Sequence, residues 1–332
     1  MIEPFGTRPS GDQVQRVRLS RGDLSANIIT YGASLQDLRM VGHEQSLVLG
    51  FETLEPYLRN RYFGAMVGRV ANRIANGEFE LNGKIHHLNK NQNGRHTLHG
   101  GQAGIDQNNW KIISHFADSV TLQTMDAEAL AGFPGDCEIT CTYTIKNDNT
   151  LYIEISAKAT TDTVCNIAHH SYFNLTGAGN VFEHELQMSA DHYLPVDEEL
   201  IPTGEIKPVQ ETEFDFTSSR PISASQFVDF DHNFCLANGQ RSFRQIAQLK
   251  SAKSGVAMTL FSTEPGLQMY TGKGLNVADI GHNGTHYRPY SGLALEPQFW
   301  PDAPNRSSFP SIDLKTGNIY QQQSAFVFSL NR

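Results

Sequence analysis

Cysteine is scarce in this sequence of 332 residues, which has four thiols at Cys137, Cys141, Cys165 and Cys235. Four cysteines are too few for a disulfide scaffold, and none of them shows the Cys-x-x-Cys spacing of a zinc knuckle or a redox motif. Cys137 and Cys141 have even spacing in a strand-like run, so both are expected on one face of a strand. We therefore expect small, buried, reduced thiols in a reducing compartment.

Long hydrophobic runs are also missing. None approaches the roughly 20 apolar residues that cross a bilayer. Residues 1–6 lack the basic region and the following apolar region of a signal peptide. These absences lead us to expect a soluble, cytoplasmic protein that does not bind membranes.

Positive charge is in deficit, with 26 Lys and Arg against 35 Asp and Glu and a formal net charge of −9. This balance argues against nucleic acid or an anionic membrane as the main partner, and it is compatible with a neutral small molecule. Hydrophobic residues make up 39% of the chain and charged residues 18%. That composition is typical of a folded globular protein rather than a disordered one.

Helical periodicity is rare, and the dominant spacing of apolar residues is two. Residues 53–60 and 243–249 are the segments predicted to be helical. Residues 79–88 predict a hairpin around Asn82 and Gly83, because Asn-Gly accepts the positive φ that both central turn positions require. Further strands are predicted at residues 24–31, 110–116, 120–125, 138–145, 151–157, 163–168, 185–190, 256–262, 267–271, 292–297 and 324–330.

Many short strands without alternating helices favour an all-β fold, a large antiparallel sandwich or barrel with few short helices. Neither a linker nor a break in composition divides the chain, so we expect a single domain over residues 1–332. Glycine-rich loops between a strand and a helix are missing as well, which gives little support to a nucleotide cofactor.

Two segments combine rigid turn residues with ionisable side chains. Residues 97–101 place His99 directly before two glycines, which permit a sharp turn or a close backbone approach. In residues 166–175, His169 and His170 are adjacent on a predicted strand and therefore point to opposite faces. One of the two can enter a given cleft, and histidine suits general acid or base work near neutral pH.

Residues 292–305 form a strand that ends in Glu296 and runs into a loop stiffened by three prolines. Phe299 and Trp300 in this loop have two interpretations. They either stack on the apolar face of a sugar or close one end of the sandwich as an aromatic plug.

The arginines of residues 68–74 also have two interpretations. Arg69 and Arg73 flank the amide of Asn72, and their rigid guanidinium groups suit hydroxyls or a carboxylate. Each of them could instead form a structural salt bridge.

Two histidine clusters complete the candidates. Asp231 and His232 either contribute to an acid–histidine site or belong to a polar turn. His282 and His286 are four residues apart, but the glycines and asparagine between them predict a loop without a complete ligand set. We therefore predict no metal site.

Together these segments resemble the aldose 1-epimerase (galactose mutarotase) family. The matching stretches occur in the family's order from about residue 68 to residue 305: GRVANRIANGEFELNGK, TLHGG, HSYFNLTG, DHYLPVDEELIPTGEI, DFDHNFCL, EPGLQMYTG and LEPQFWPDAPN. The resemblance implies a large antiparallel β-sandwich of the galactose mutarotase type. It also implies an enzyme that interconverts the α and β anomers of free aldoses such as galactose or glucose, with no cofactor and no metal.

The resemblance further implies a role for individual residues. Glu296 corresponds to the family's catalytic base, His170 to its general acid and His99 to a second active-site histidine. The implied substrate-binding residues are Arg73, Asn72, Asp231 and Gln268. Because opposite charges across a cleft favour each other, we expect the Glu296 pKa to be lowered and the His170 pKa to be raised.

Several alternatives remain open at this point. The residues after Glu296 are Pro297-Gln298-Phe299-Trp300, where the family usually has Thr or Ser followed by Gln-His-Phe, so sugar preference is not fixed. A non-catalytic sugar-binding domain is one alternative, and a glycoside hydrolase using Asp231 with Glu296 is another. An epimerase for a phosphorylated, deoxy or acidic sugar would be indicated by an extra Lys or Arg facing the cleft. The expected partner is a monosaccharide, and the expected assembly is a monomer or a weak homodimer.

Overall fold

The computed structural model describes residues 1–224 and 229–330. It confirms the predicted all-β class, because antiparallel strands dominate and the helices are short. A first sheet is a meander of β1 (Ile2–Thr7), β2 (Gln13–Arg21), β3 (Leu24–Ile29) and β4 (Ser34–Met40).

A nine-stranded sheet forms the largest layer. Its spatial order is β10 (Lys111–His115), β11 (Ser119–Asp126), β12 (Cys137–Lys146), β13 (Thr150–Ala159), β27 (Tyr320–Leu330), β23 (Val256–Ser262), β22 (Arg244–Ser251), β17 (His184–Met188) and β20 (Arg220–Pro221). The strand that is last in sequence, β27, therefore lies in the middle of this sheet, between β13 and β23.

A six-stranded sheet has the order β16 (Tyr172–Phe173), β25 (Leu293–Gln298), β24 (Gly266–Tyr270), β21 (Asp231–Cys235), β18 (His192–Tyr193) and β19 (Lys207–Pro208). The short two-stranded pairs are β5 (Ala65–Val67) with β15 (Ala168–His170), β6 (Arg73–Ile74) with β9 (Thr97–Leu98), β7 (Glu78–Leu81) with β8 (Lys84–His87), and β14 (Thr163–Val164) with β26 (Asp313–Leu314). The helices are α1 (Leu54–Arg59) and α2 (Glu128–Ala131), with 3₁₀ turns at Ala75–Gly77, Ile105–Gln107, Ile222–Ala224, His282–Gly284 and Ala303–Asn305.

One large hydrophobic core lies between these sheets. It includes Ile28 of β3, Tyr143 and Ile153 of the nine-stranded sheet, and Leu267 and Leu295 of the six-stranded sheet, all of them buried. Because alternate side chains of a strand point to opposite faces, the residues next to Leu267 and Leu295 in sequence, Gln268 and Glu296, face away from this core. The sandwich thus presents a row of polar side chains on the far face of the six-stranded sheet.

Local sequence signals predict several elements well. The hairpin of residues 79–88 is β7 and β8, and Asn82 and Gly83 have φ values of 53° and 77°, as their turn requires. The helix predicted at residues 53–60 is α1. The strand predicted at residues 163–168 is interrupted, because β14 pairs with β26 whereas β15 pairs with β5.

The helix predicted at residues 243–249 is wrong, since residues 244–249 belong to strand β22. Two neighbouring strands, β17 and β23, pair with it on either side, and this pairing outweighs local propensity. A bulge between Gln245 and Ala247 buries Ile246 and Ala247 in succession. With Leu249 also buried, the resulting spacing mimics one face of a helix.

The four cysteines are free thiols, as predicted, and Cys137 and Cys141 are both buried on the same face of β12. Cys165 is buried as well, and Cys235 is partly exposed. No helix in the described residues has the length and apolar character needed to span a membrane.

Candidate active site

A cavity of about 660 Å³ lies against the polar face of the six-stranded sheet. Six of the seven predicted site residues line it: Asn72, Arg73, His99, His170, Asp231 and Glu296. The seventh, Gln268, reaches the cavity wall by donating a hydrogen bond of 2.6 Å from Nε2 to Oδ1 of Asp231. The fold therefore brings together residues that are more than 220 positions apart in sequence.

His170 and Glu296 are neighbours because of the register of two antiparallel strands. Tyr172 of β16 pairs with Ala294 of β25. Because the two segments run in opposite directions, His170, two residues before Tyr172, lies level with Glu296, two residues after Ala294. Nε2 of His170 lies 3.6 Å from Oε1 of Glu296, and both side chains are at least 95% buried. A proton donor and a proton acceptor thus face the same cavity.

His169 points to the opposite face, as the alternation of a strand predicts. Its ring packs against Tyr143 and Phe326 in the core, and its Nε2 atom is 3.0 Å from the hydroxyl of Ser171. Burial lowers the pKa of His169 to about 3, so the ring stays neutral. His170 alone of this pair enters the cavity, and His169 is structural.

The predicted direction of the two pKa shifts is wrong. Burial raises the pKa of Glu296 well above its usual value, the negative charge of Asp231 adds to the rise, and Arg73 opposes it. Burial also lowers the pKa of His170 to about 4. Removal of the charged form from water is the largest cause of both shifts, and both directions favour a protonated Glu296 beside a neutral His170.

His99 is held by a turn that glycine makes possible. His99 and Gly100 have φ values of 51° and 82°, and a Cβ on Gly100 would lie 1.8 Å from the carbonyl oxygen of Gly68. The backbone N–H of Asn72 donates to Nδ1 of His99 at 3.1 Å, which leaves the ring proton of the neutral imidazole on Nε2. Burial keeps the pKa of His99 well below its usual value. His99 is therefore a neutral hydrogen-bond donor.

The same hydrogen bond decides whether the site suits a metal ion. Among the described residues, His99, His170 and Glu296 each offer a ligand atom, and these atoms lie within 4.8 Å of one another. A metal-binding histidine must present an unprotonated nitrogen. Since His99 presents Nε2–H, the group supplies two ligands rather than three, and this chemistry fits proton transfer better than metal binding.

Arg73, Asp231 and Gln268 form the polar wall beside the pair. Nη2 of Arg73 lies 3.5 Å from Oδ2 of Asp231, whose other oxygen accepts from Gln268. Three buried atoms here, Gln268 Oε1, Glu296 Oε2 and His170 Nδ1, have no hydrogen-bond partner within the described part of the chain. A buried polar atom left unpaired costs about 1–3 kcal/mol. A ligand rich in hydroxyl groups would satisfy such atoms.

Arg69 does not reach this wall. It is fully buried, its Nε atom is 2.7 Å from Oδ2 of Asp126, and it also donates to the carbonyl of Pro134 and the hydroxyl of Thr163. The structural interpretation therefore holds for Arg69, whereas Arg73 lines the cavity.

Trp300 does not line this cavity, and its contacts favour the interpretation as an aromatic plug. Its ring packs edge-on against Phe309 at 5.1 Å, and its Nε1–H donates to the carbonyl of Pro265. The aromatic side chains that do line the cavity are those of Tyr62, Tyr172 and Tyr270. Tyr172 and Tyr270 lie inside the quoted motifs, whereas Tyr62 lies outside them and carries no sequence signal.

Two other histidine candidates, His282 and His232, do not line the cavity. His282 is bound through Nδ1 to Glu52 at 2.7 Å and through Nε2 to the carbonyl of Gln36 at 2.8 Å, which accounts for both ring nitrogens. His232 lies on strand β21 rather than in a polar turn, and its ring packs against Phe214. Glu198, Asp229 and Lys273 lie at the rim of the cavity. Asp229 begins the acid–histidine segment of residues 229–234 that the sequence indicates, whereas no role was predicted for Glu198 or Lys273.

Comparisons with known proteins address the family to which this chain belongs. A family model described as Aldose 1-epimerase matches residues 15–326. Galactose mutarotase of Homo sapiens is 39% identical over 98% of this chain and 97% of its own length. Aldose 1-epimerase of Haemophilus influenzae is 33% identical over 96% of this chain and 97% of its own length.

The three-dimensional comparison gives the same result. The crystal structure of a GalM/aldose epimerase homologue from C. elegans matches with a TM-score of 0.90 and 33% identity, covering 96% of this chain and 99% of that one. The fold predicted from the resemblance is therefore confirmed. Taken with the matched family model and the full-length relatives, it shows that this chain is an enzyme of the aldose 1-epimerase family.

Proposed function

We propose that this enzyme interconverts the α and β anomers of a free, uncharged aldose such as galactose or glucose. The observation that carries the proposal is the separation of 3.6 Å between His170 Nε2 and Glu296 Oε1 inside a cavity that also contains the N–H donor of His99. The names of the relatives, galactose mutarotase and aldose 1-epimerase, support the same reaction.

The reaction needs one base and one acid. Glu296 as carboxylate removes the proton of the C1 hydroxyl, and protonated His170 delivers a proton to the ring oxygen as the bond between C1 and that oxygen breaks. The open aldehyde rotates about the C1–C2 bond and closes on its other face, with both proton transfers reversed. General acid–base assistance of this kind contributes about 10²–10⁴-fold in rate.

The number of protons that His170 and Glu296 hold together is compatible with these roles. A protonated Glu296 with a neutral His170 holds one proton, and so does a carboxylate with an imidazolium. Arg73 lowers the pKa of Glu296, and Asp231 raises that of His170. A C1 hydroxyl that donates to the carboxylate stabilises its charged form further, so sugar binding favours transfer of the shared proton to His170.

The charges around the cavity favour an uncharged sugar. Lys273 is the extra cation that would indicate a phosphorylated or acidic substrate, but its Nζ atom lies 2.6 Å from Oδ2 of Asp229. Arg73 faces Asp231 in the same way. Because each cation already has a carboxylate partner, hydroxyl groups are better matched to this cavity than a free anion. We assign the binding of these hydroxyls to Arg73, Asn72, Asp231 and Gln268.

Polarimetry of freshly dissolved α-D-galactose and α-D-glucose tests the proposal. Glu296→Gln and His170→Asn should each lower the rate above the spontaneous background by at least about 10²-fold. Glu264→Gln is the matched control, because Glu264 is also a fully buried carboxylate but lies outside the cavity, and it should retain the wild-type rate. The proposal is overturned if the wild type does no better than the background, or if Glu296→Gln keeps full activity.

A further inference from the structure

Backbone pairing does not join His170 directly to Glu296, because each of these residues pairs with a different strand. The ladder between β16 and β25 joins Tyr172 to Ala294 and Phe173 to Leu293. At His170, the chain pairs instead with Ala65 of β5, and Glu296 pairs with Gln268 of β24. The distance between the two catalytic groups therefore depends on what joins these segments besides that ladder.

Two side chains of β27 make hydrogen bonds to both of these segments. Tyr320 and Gln322 are two residues apart, so they project from the same face of the nine-stranded sheet, and both are more than 90% buried. The N–H of Ile167 donates to the Tyr320 hydroxyl at 3.2 Å. That hydroxyl lies 3.2 Å from Oε1 of Gln322, and Nε2 of Gln322 donates to the carbonyl of Pro297 at 2.8 Å.

These contacts form one directional chain of hydrogen bonds, from Ile167 through Tyr320 and Gln322 to Pro297. Ile167 is three residues before His170, and Pro297 directly follows Glu296. The Tyr320 hydroxyl is also 3.4 Å from the carbonyl of Ile167, but Oε1 of Gln322 is the nearer acceptor for its one proton. The chain thus spans the two segments that carry the catalytic groups.

We propose that Tyr320 and Gln322 are positioning residues that set the separation of His170 and Glu296, an inference that rests on the proposed function. A second tie lies further along the same segments, where Asn166 bonds to both the N–H and the carbonyl of Phe299, at 2.9 and 3.4 Å. The β16–β25 ladder holds one end of the gap and Asn166 holds the other. Tyr320 and Gln322 join the same two segments between these ties, next to Asn166 and on the side nearer to His170 and Glu296.

The separation matters because Glu296 and His170 must each lie within about 2.6–3.2 Å of their own oxygen of the same bound sugar, the C1 hydroxyl for one and the ring oxygen for the other. A misplacement of about 1 Å can cost 10²-fold in rate. Loss of the Tyr320 hydroxyl would leave the N–H of Ile167 and Oε1 of Gln322 without this partner, and both segments would shift to find others. The sugar-binding side chains Arg73 and Asp231 lie on other strands and keep their positions.

The test compares Tyr320→Phe and Gln322→Met with wild type in mutarotation of α-D-galactose, at a temperature well below unfolding. Each variant should lower kcat by about 10-fold while KM changes by less than about 2-fold. The double variant should be no slower than the slower single variant, because either substitution interrupts the same chain. Wild-type kcat in folded Tyr320→Phe or folded Gln322→Met overturns the proposal.

Tyr287→Phe is the matched control. The Tyr287 hydroxyl accepts from the N–H groups of Gly50 and His282 and donates to the carbonyl of Gly50, so it joins two buried segments that do not line the cavity. We expect Tyr287→Phe and Tyr320→Phe to lower the melting temperature to a similar extent, because each removes a buried hydroxyl. Only Tyr320→Phe should lower kcat. An equal loss of kcat in Tyr287→Phe would mean that general loosening explains the effect, and the positioning role would be rejected. A wild type without mutarotase activity would instead reject the proposed function.

Discussion

Nε2 of His170 and Oε1 of Glu296 are 3.6 Å apart in a site where burial, and not mutual attraction, sets the direction of both pKa shifts. At pH values between the lowered pKa of His170 and the raised pKa of Glu296, the two side chains together hold one proton. Within that interval one acid and one base are present together, whichever group carries the proton. This relationship determines how activity depends on pH.

We predict a bell-shaped profile of kcat/KM against pH, corrected for spontaneous mutarotation. Below the His170 pKa of about 4 the pair holds two protons and has no base, and above the raised Glu296 pKa it holds none and has no acid. Asp231→Asn should move both limbs to lower pH, because the charge of Asp231 raises the pKa of both groups. A flat profile from acid to alkaline pH would contradict the two-group scheme.

Release of Lys273 from its ion pair should change the response to charged sugars. In Asp229→Asn, the Tyr290 hydroxyl keeps a hydrogen-bond acceptor, whereas Lys273 loses its carboxylate partner. We expect a 6-phosphorylated aldose to inhibit this variant about 10-fold more strongly than wild type at low ionic strength, with the effect reduced by salt. The KM for galactose should not change.

The control is the double variant Asp229→Asn with Lys273→Gln, which removes both charges. The 6-phosphorylated aldose should inhibit this double variant only as strongly as it inhibits wild type. Stronger inhibition that survives in the double variant would show that Lys273 is not its source.

Trp300→Phe separates the two interpretations of the aromatic loop. Because Trp300 packs on Phe309 and donates to Pro265, its replacement should lower the free energy of unfolding by about 1–3 kcal/mol. The KM for galactose should stay the same. Denaturant unfolding and polarimetry on one preparation check both statements, and a raised KM with unchanged stability would favour sugar stacking.

Glu264 should make stability depend on pH. Burial raises its pKa from 4.5 to about 7 in the folded protein. Between these values the unfolded chain loses this proton while the folded protein keeps it, so stability falls as pH rises and the penalty reaches about 3 kcal/mol above pH 7. Glu264→Gln should therefore be more stable than wild type at about pH 8 and should lose that advantage towards about pH 5. Thermal unfolding of both proteins at the two pH values tests this prediction. If Glu264→Gln were more stable than wild type by the same amount at both pH values, ionisation of Glu264 would be excluded as the cause.

The sequence predicts those features that local patterns or continuous motifs encode. The Asn82-Gly83 turn is defined by two residues, and His170 and Glu296 each lie within a recognisable stretch. The alternation of strand side chains also predicts that one of His169 and His170, but not both, enters the cavity. These inferences need no knowledge of long-range packing.

The features that sequence reasoning missed depend on tertiary structure. The bulge in β22 imitates a helical pattern, and only pairing with β17 and β23 identifies residues 243–249 as a strand. The pKa shifts of His170 and Glu296 depend on depth of burial, which spacing along the chain does not encode. Tyr320 and Gln322 lie about 150 residues beyond His170, and nothing in their local sequence relates them to it.

The central place of β27 has a consequence for the order of assembly during synthesis. Residues 160–319 separate β13 from β27 in sequence, yet β27 alone bridges β13 and β23 in the nine-stranded sheet. Until that strand emerges from the ribosome, a nascent chain carries two incomplete half-sheets with open edges, which are prone to misassociation. Catalytic competence should therefore arise late and all at once, and chaperone dependence should last until β27 has left the ribosome.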